Sequence, residues 1–344
     1  MAMRARGERS PLGSVQRSRR AGLMQARALP SIGIDLGGTK VALGLVDRRG
    51  HVRDFTRLPT RAERPATAVV DEVVASVRDR WGERLGGAKT IGVGVAGQVG
   101  PDGTVLFGPH LDWHNVPLCS MLARSLRRPV AVVNDAQAAT FGEWRFGAGR
   151  GAVSLLGLFV GTGVGGGLVV DGRLYQGASG CAGELGHLTV ERNGRRCHCG
   201  NRGCLDAYVG GWAIAERAKA AVRRAPGRGR RLTALAGVPG GLTAESVVQA
   251  YRSGDPIAKE LVTETMDLLA DGLVSMVNSL NPSTVVLGGG VVEGLRSLVP
   301  SLGREVRARS LPAAASGLRI VPASLGSASA LVGAAAFARE VPRR

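Results

Sequence analysis

Apolar residues recur along this chain in short continuous runs that alternate with longer segments of helical spacing. Ser31–Asp35 and Val41–Val46 are two such runs, joined by Leu-Gly-Gly-Thr-Lys, and they predict two strands with a tight glycine turn. Helical spacing and charge follow over residues 64–80. Thr90–Val95 then reads as a strand that runs into a Gly97-Gln98 loop. The pattern next predicts a helix over Leu118–Leu126, a short strand over Val130–Val133 with Asn134-Asp135 at its end, and a helix from Ala136 to Arg145. The second half starts again in the same manner, with strands at Val153–Val160 and Gly166–Val170. Helices follow near 211–224, 243–252 and 257–279. A buried strand at Val285–Leu287 ends in Gly288-Gly289-Gly290, and a strand at Leu318–Val321 and a helix from about Ser327 close the chain. Each half begins with a glycine-rich strand-turn-strand, which points to an internal duplication of one α/β unit.

Two uncharged stretches test whether the chain enters a membrane. Gly151–Val170 has the length of a span, but seven of its twenty residues are glycines, and Gly-Thr-Gly-Val-Gly-Gly-Gly interrupts it. Ile320–Ala338 contains Pro322 and a run of Ala, Ser and Gly, so it reads as a weakly apolar helix packed in a core. No membrane partner is expected. At 344 residues the chain is long enough for two cores. The formal charge of +18 raises a nucleic-acid reading. Apart from seven arginines in residues 1–30 and a cluster from Arg223 to Arg231, however, the excess is diffuse and speaks of solubility, so no nucleic-acid partner is expected. Arg27 interrupts the apolar residues near the N-terminus, which argues against a secretory signal and for a cytoplasmic location.

Three of the five cysteines fall within eight residues, at Cys197, Cys199 and Cys204, with His187 ten residues upstream. One imidazole and three thiolates form the ligand set of a closed, structural zinc site that would hold the segment carrying Glu184 rigid. A disulfide or unrelated thiols are the alternatives; clustering with a histidine favours the metal. Asp35-Leu-Gly-Gly-Thr-Lys40 combines an acid, glycines and a hydroxyl. Its backbone N–H groups can approach phosphate oxygens, and Asp35 can hold magnesium through water. An ordinary hairpin turn is the blander reading. Gly161-Thr-Gly-Val-Gly-Gly166 matches the dinucleotide-binding glycine pattern literally, but it leads into a strand and not a helix, which disfavours a nicotinamide dehydrogenase. Two such hairpin loops, one per half, would clamp a nucleoside triphosphate from both sides.

Together these residues resemble the ROK family of repressors, open reading frames and sugar kinases. The likeness covers about residues 31–340, with motifs in order at Asp35–Lys40, Leu158–His187, Cys197–Cys204 and Gly288–Gly290. It implies an α/β, two-lobed actin-like ATPase fold of duplicated, ribonuclease H-like units with a structural zinc site. Residues 1–30 would be a basic head. Residues 31–145 would form an N-terminal lobe rejoined by a C-terminal helix at 326–340, and residues 146–325 a larger lobe with the zinc motif. The implied activity is ATP-dependent phosphorylation of a hexose hydroxyl, with O6 of glucose favoured.

By position, Asp135 corresponds to the catalytic acid that accepts the proton of the attacking hydroxyl, and Gly97, Asn134, Glu184, His187 and Asp206 to sugar contacts. Gly37, Gly38, Thr39, Lys40, Gly161, Thr162, Gly163 and the glycines at 288–290 correspond to ATP contacts alongside Asp35. His187, Cys197, Cys199 and Cys204 correspond to zinc ligands. ATP, Mg2+ and structural Zn2+ are the implied cofactors, and a homodimer or homotetramer the implied assembly. Three departures stand out: Asp206 where sugar-binding members commonly carry Glu, Gln137 where Asn is common, and His110 where Asn is usual. An N-acetylhexosamine kinase is the alternative. A sugar-responsive transcriptional regulator is a second, disfavoured because only about thirty residues precede the first strand.

Overall fold

The computed structural model describes residues 29–225, 227–237 and 241–341. The expected basic head therefore lies outside the described residues except for Leu29 and Pro30.

The first half builds a five-stranded sheet from β1 (Ser31–Leu36), β2 (Lys40–Val46), β3 (Val52–Pro59), β4 (Ile91–Val95) and β8 (Val130–Asn134), in the order β3-β2-β1-β4-β8. β1, β2 and β3 are antiparallel neighbours, whereas β1, β4 and β8 run parallel. Helices α1 (Ala66–Trp81) and α2 (Leu118–Leu126) lie between β3 and β4 and before β8 in the chain. Ile32, Ile34, Leu43, Ile91 and Val93 are fully buried, each worth about 1.5–3 kcal/mol relative to exposure. A small antiparallel sheet, β5 (Gln98–Val99), β6 (Val105–Gly108) and β7 (Trp113–Val116), follows β4. α3 (Asp135–Phe146) leaves β8 directly.

The second half repeats the plan. β9 (Leu155–Val160), β10 (Val164–Val170), β11 (Arg173–Leu174), β12 (Thr284–Gly288) and β13 (Arg319–Pro322) form a sheet in the order β11-β10-β9-β12-β13, with the same sequence of antiparallel and parallel pairings. The duplication expected from the sequence is thus present strand for strand. Helices α4 (Gly211–Arg224), α5 (Ala244–Arg252), α6 (Pro256–Leu280) and α7 (Val299–Arg309) accompany this sheet. Asp255 caps α6 by accepting hydrogen bonds from the backbone N–H groups of Ile257 and Ala258.

The weakly apolar C-terminal segment is α8 (Ser329–Glu340), which returns to the first half and packs on α3, β1 and β4. Small residues permit the contact: a Cβ at Gly92 would lie 1.8 Å from the Ala334 carbonyl oxygen. The two chain crossings between the halves meet at Glu143, a fully buried carboxylate on α3. It accepts hydrogen bonds from the N–H of Ala148 on the outgoing crossing. From the returning crossing it accepts those of Ser324 and Leu325 and of the Ser329 hydroxyl.

Candidate active site

Asp35 is the penultimate residue of β1, at the register position beside Ala42 and Gly94. The turn after it closes through a Gly37 N–H to Lys40 carbonyl bond and is braced by the Thr60 hydroxyl donating to the Gly37 carbonyl. Thr39 and Lys40 stay exposed at its tip. The backbone of His110, one of the sequence departures, packs against Gly38 and so shapes this loop. Burial raises the Asp35 carboxyl to about 6, opposed by the charges of Lys40 and Arg57.

Asn134 and Asp135 stand where β8 becomes α3. The Asn134 side-chain oxygen accepts from the N–H groups of Ala136 and Gln137 and caps the helix, while its amide donates to the Gly97 carbonyl at 3.0 Å. Asn134 therefore fixes the Gly97 loop to the start of α3. Burial, followed by the negative charge of Asp35, raises the Asp135 carboxyl to about 7; the Ala136 N–H opposes the shift, and Glu184 adds to it. Asp135 thus feels two carboxylates from distant parts of the chain. A carboxyl group poised near neutrality can take a proton from a substrate hydroxyl.

Gln137, on the first turn of α3, donates to the carbonyls of Gly180 and Ala182 at 3.0 and 2.6 Å. It pins the segment that leads to Glu184. Burial raises the Glu184 carboxyl, opposed by His187. The His187 ring presents Nε2 to Glu184 at 3.9 Å and Nδ1 to the Cys197 sulfur at 3.7 Å. The Cys199 and Cys204 sulfurs are also 3.7 Å apart, and the ligand atoms of all four residues lie within 4.8 Å of one another. None of the five cysteines forms a disulfide in this structure. A tetrahedral ion with metal–sulfur bonds of about 2.3 Å separates its sulfurs by about 3.8 Å, so the donor set and the spacing fit such an ion.

The second glycine loop closes on itself, with the Gly161 N–H donating to the Gly163 carbonyl at 2.9 Å and Thr162 exposed at its tip. β10 begins at Val164, two residues before the expected start at Gly166. It passes so close to α3 that a Cβ at Gly165 would sit 2.7 Å from that of Ala136. The loop at 288–290 lies alongside, since Gly288 pairs with Phe159. Gly289 has φ +86° and would place a Cβ 2.3 Å from the Val160 carbonyl oxygen, so only glycine fits there.

Asp206 is held by hydrogen bonds within its own half. It is 6% exposed, and its two oxygens already accept from the Val164 N–H and the Trp212 indole N–H. The structure ties it to the residue that follows the second glycine loop. Glu143 escaped the sequence reading altogether. Its only sequence signal is a lone acid on the otherwise uncharged stretch 136–144 of α3.

Residues 31–341 match the ROK family as a whole. The glucokinase of Streptomyces coelicolor is 36% identical over 322 residues, covering 90% of this chain and 98% of its own. An N-acetylgalactosamine kinase of Shewanella is 33% identical, covering 88% and 94%. Among solved structures, a ROK family glucokinase from Streptomyces griseus in complex with glucose and AMPPNP superposes with a TM-score of 0.79 at 33% identity, over 91% of this chain and all of that one. The match along nearly the whole chain, the repeated sheets and the ordered motifs agree: the chain belongs to the ROK family.

Proposed function

We propose that this protein transfers the γ-phosphate of ATP to a hexose hydroxyl, with O6 of glucose as the favoured acceptor and Asp135 as the proton acceptor. The observation that carries the mechanism is the Asp135 carboxyl, raised to about 7 at the N-terminus of α3 between Asp35 and Glu184. Its deprotonated form accepts the proton of the attacking hydroxyl as the oxygen meets phosphorus, and the residue's fixed position supplies orientation as well as basicity. The backbone N–H groups and hydroxyls of Gly37–Lys40 and Gly161–Gly163 bind the phosphates, and Gly288–Gly290 the adenosine. Gly97, Asn134, Glu184 and His187 surround the sugar; the amide of Asn134, which already fixes Gly97, retains a second N–H for a ring hydroxyl. Mg2+, held near Asp35, would neutralise charge on the transferring phosphate.

His187, Cys197, Cys199 and Cys204 are the ligands of a structural zinc ion in this reading. The ion would hold His187 so that its Nε2 faces Glu184. Residues 31–145 with 326–340, and residues 146–325, act as the two lobes, closing around sugar and nucleotide to exclude water. Two inferences are extended from the family alone: a homodimer or homotetramer, and a cytoplasmic location. No helix among the described residues is long and apolar enough to cross a membrane.

Glucose is favoured because the glucokinases of Streptomyces coelicolor and Thermotoga maritima match at 36% and 34% identity over nine-tenths of the chain. The Shewanella N-acetylgalactosamine kinase, at 33%, keeps an N-acetylhexosamine as the second reading. A coupled assay of ADP formation across a hexose panel separates the two. An N-acetylhexosamine exceeding glucose more than about tenfold in kcat/KM, roughly 1.4 kcal/mol of transition-state binding, would replace glucose while leaving the kinase assignment intact.

A further inference from the structure

The sequence position of Asp206 suggests a sugar contact, yet the structure surrounds this carboxylate with groups of the second glycine loop. Its Oδ1 accepts from the Val164 N–H at 2.8 Å, immediately after the turn Gly161–Gly163, and the same oxygen would lie 2.9 Å from a Cβ at Gly163. Its Oδ2 accepts from the Trp212 indole N–H at 2.8 Å and lies 3.7 Å from the Cys197 sulfur. The backbone around Trp212 completes the attachment. The Gly211 N–H donates to the Gly161 carbonyl and the Trp212 N–H to the Thr162 carbonyl, both at 2.9 Å. The Trp212 ring in turn stacks on His198 at 3.9 Å between centroids, inside the cysteine hairpin.

We infer that Asp206 is a positioning residue for the phosphoryl donor, tying the loop at 161–164 to the cysteine hairpin. A loop that meets phosphate through backbone N–H groups is useful only if those groups hold their directions before the nucleotide arrives. Residues 161–164 cannot supply that rigidity alone, since two of the four are glycines and only the Gly161–Gly163 turn bond is internal. The carboxylate removes the freedom of Val164, and Gly211 and Trp212 hold the carbonyls on the other side of the turn. Asp206 reaches Val164 from the first turn of the short helix 206–209. The inference rests on the kinase reading for the role of the loop, although the tie itself is independent of it.

The test compares wild type with Asp206→Ala, Asp206→Asn and Trp212→Phe in the full chain. For Asp206→Ala the KM for ATP should rise about tenfold or more and the Kd for ADP, by calorimetry, in parallel, while the KM for glucose stays within about twofold. Asp206→Asn retains an acceptor for Val164 and should recover part of the ATP affinity. Trp212→Phe removes the donor to Oδ2 and narrows the aromatic surface stacked on His198, and should move the ATP KM about two- to threefold in the same direction. Hydrogen exchange over 158–166 should accelerate in Asp206→Ala. A rise in the glucose KM with the ATP KM unchanged would make Asp206 a sugar contact and overturn the inference, as would unaltered exchange over 158–166. If wild type formed no ADP with any hexose, the kinase reading would fail, and the exchange data would still decide the tie. Should Asp206→Ala not fold, Trp212→Phe and Asp206→Asn carry the same comparison.

Discussion

Replacing Asp135 with Asn should destroy activity and stabilise the protein, with the second effect dependent on pH. The carboxyl's ordinary value of 3.8 is raised to about 7 in the fold, chiefly by burial and by the charge of Asp35. Between these values the folded chain holds a proton that the unfolded chain has released. Stability therefore falls as pH rises through this window, and the contribution is fully favourable only below about pH 4. A shift of about 3 units corresponds to about 4 kcal/mol at most. Asparagine keeps the acceptor for the Ala136 N–H, which Asp135 now bonds at 2.8 Å, and carries no charge near Asp35 or Glu184. Thermal melts should thus lie closest below about pH 4 and separate by a few degrees in favour of the variant at pH 8. Sugar phosphorylation should fall about 10²–10⁴-fold with ADP binding retained. An Asn variant that melts below wild type at pH 8 would refute the electrostatic argument, and one with undiminished turnover would refute the base.

Other consequences are equally direct. Wild-type kcat/KM should rise with pH through about 7 as Asp135 loses its proton, and the variant's residual rate should lack that limb; a profile flat from pH 5.5 to 8.5 would contradict the assignment. Metal analysis should give about one zinc per chain, and Cys199→Ala should lose both the metal and glucose binding because Glu184 and His187 lose their support. Stoichiometric metal in a variant lacking all three cysteines would count against the site. Glu143→Gln sets an amide N–H₂ against donors that a carboxylate now satisfies and should cost about 2–4 kcal/mol in denaturant unfolding. X-ray scattering should show a smaller radius of gyration with glucose than without, and identical curves would remove lobe closure.

How far the sequence revealed the fold depended on whether its signals were local. Runs such as Ile32–Leu36 and Val285–Leu287 are buried on both faces and announce themselves by composition alone. β3, with strictly alternating exposure over Val52–Pro59, carried a period-two signal that the charged residues Arg53, Asp54 and Arg57 obscured. The small sheet β5–β7 and helix α7 had still weaker patterns. Gly165 read as turn and proved to be strand, because β10 runs against α3 where a side chain has no room. Among site residues, those marked by motif chemistry, such as Asp135 and the Cys-His cluster, were legible. Glu143 and the hydrogen-bond partners of Asp206 were not, since Val164, Trp212, Ser324 and Leu325 are brought to these carboxylates only by tertiary contact.

The central claim is that two glycine loops and Asp135 form one phosphoryl-transfer site. Its most direct test is sugar-dependent ADP formation by the full chain with ATP and Mg2+, measured with glucose and a panel of hexoses and N-acetylhexosamines. Rapid ADP release with glucose, abolished by Asp135→Asn, is the predicted result. ADP release that no hexose or N-acetylhexosamine raises above the sugar-free background would contradict the account.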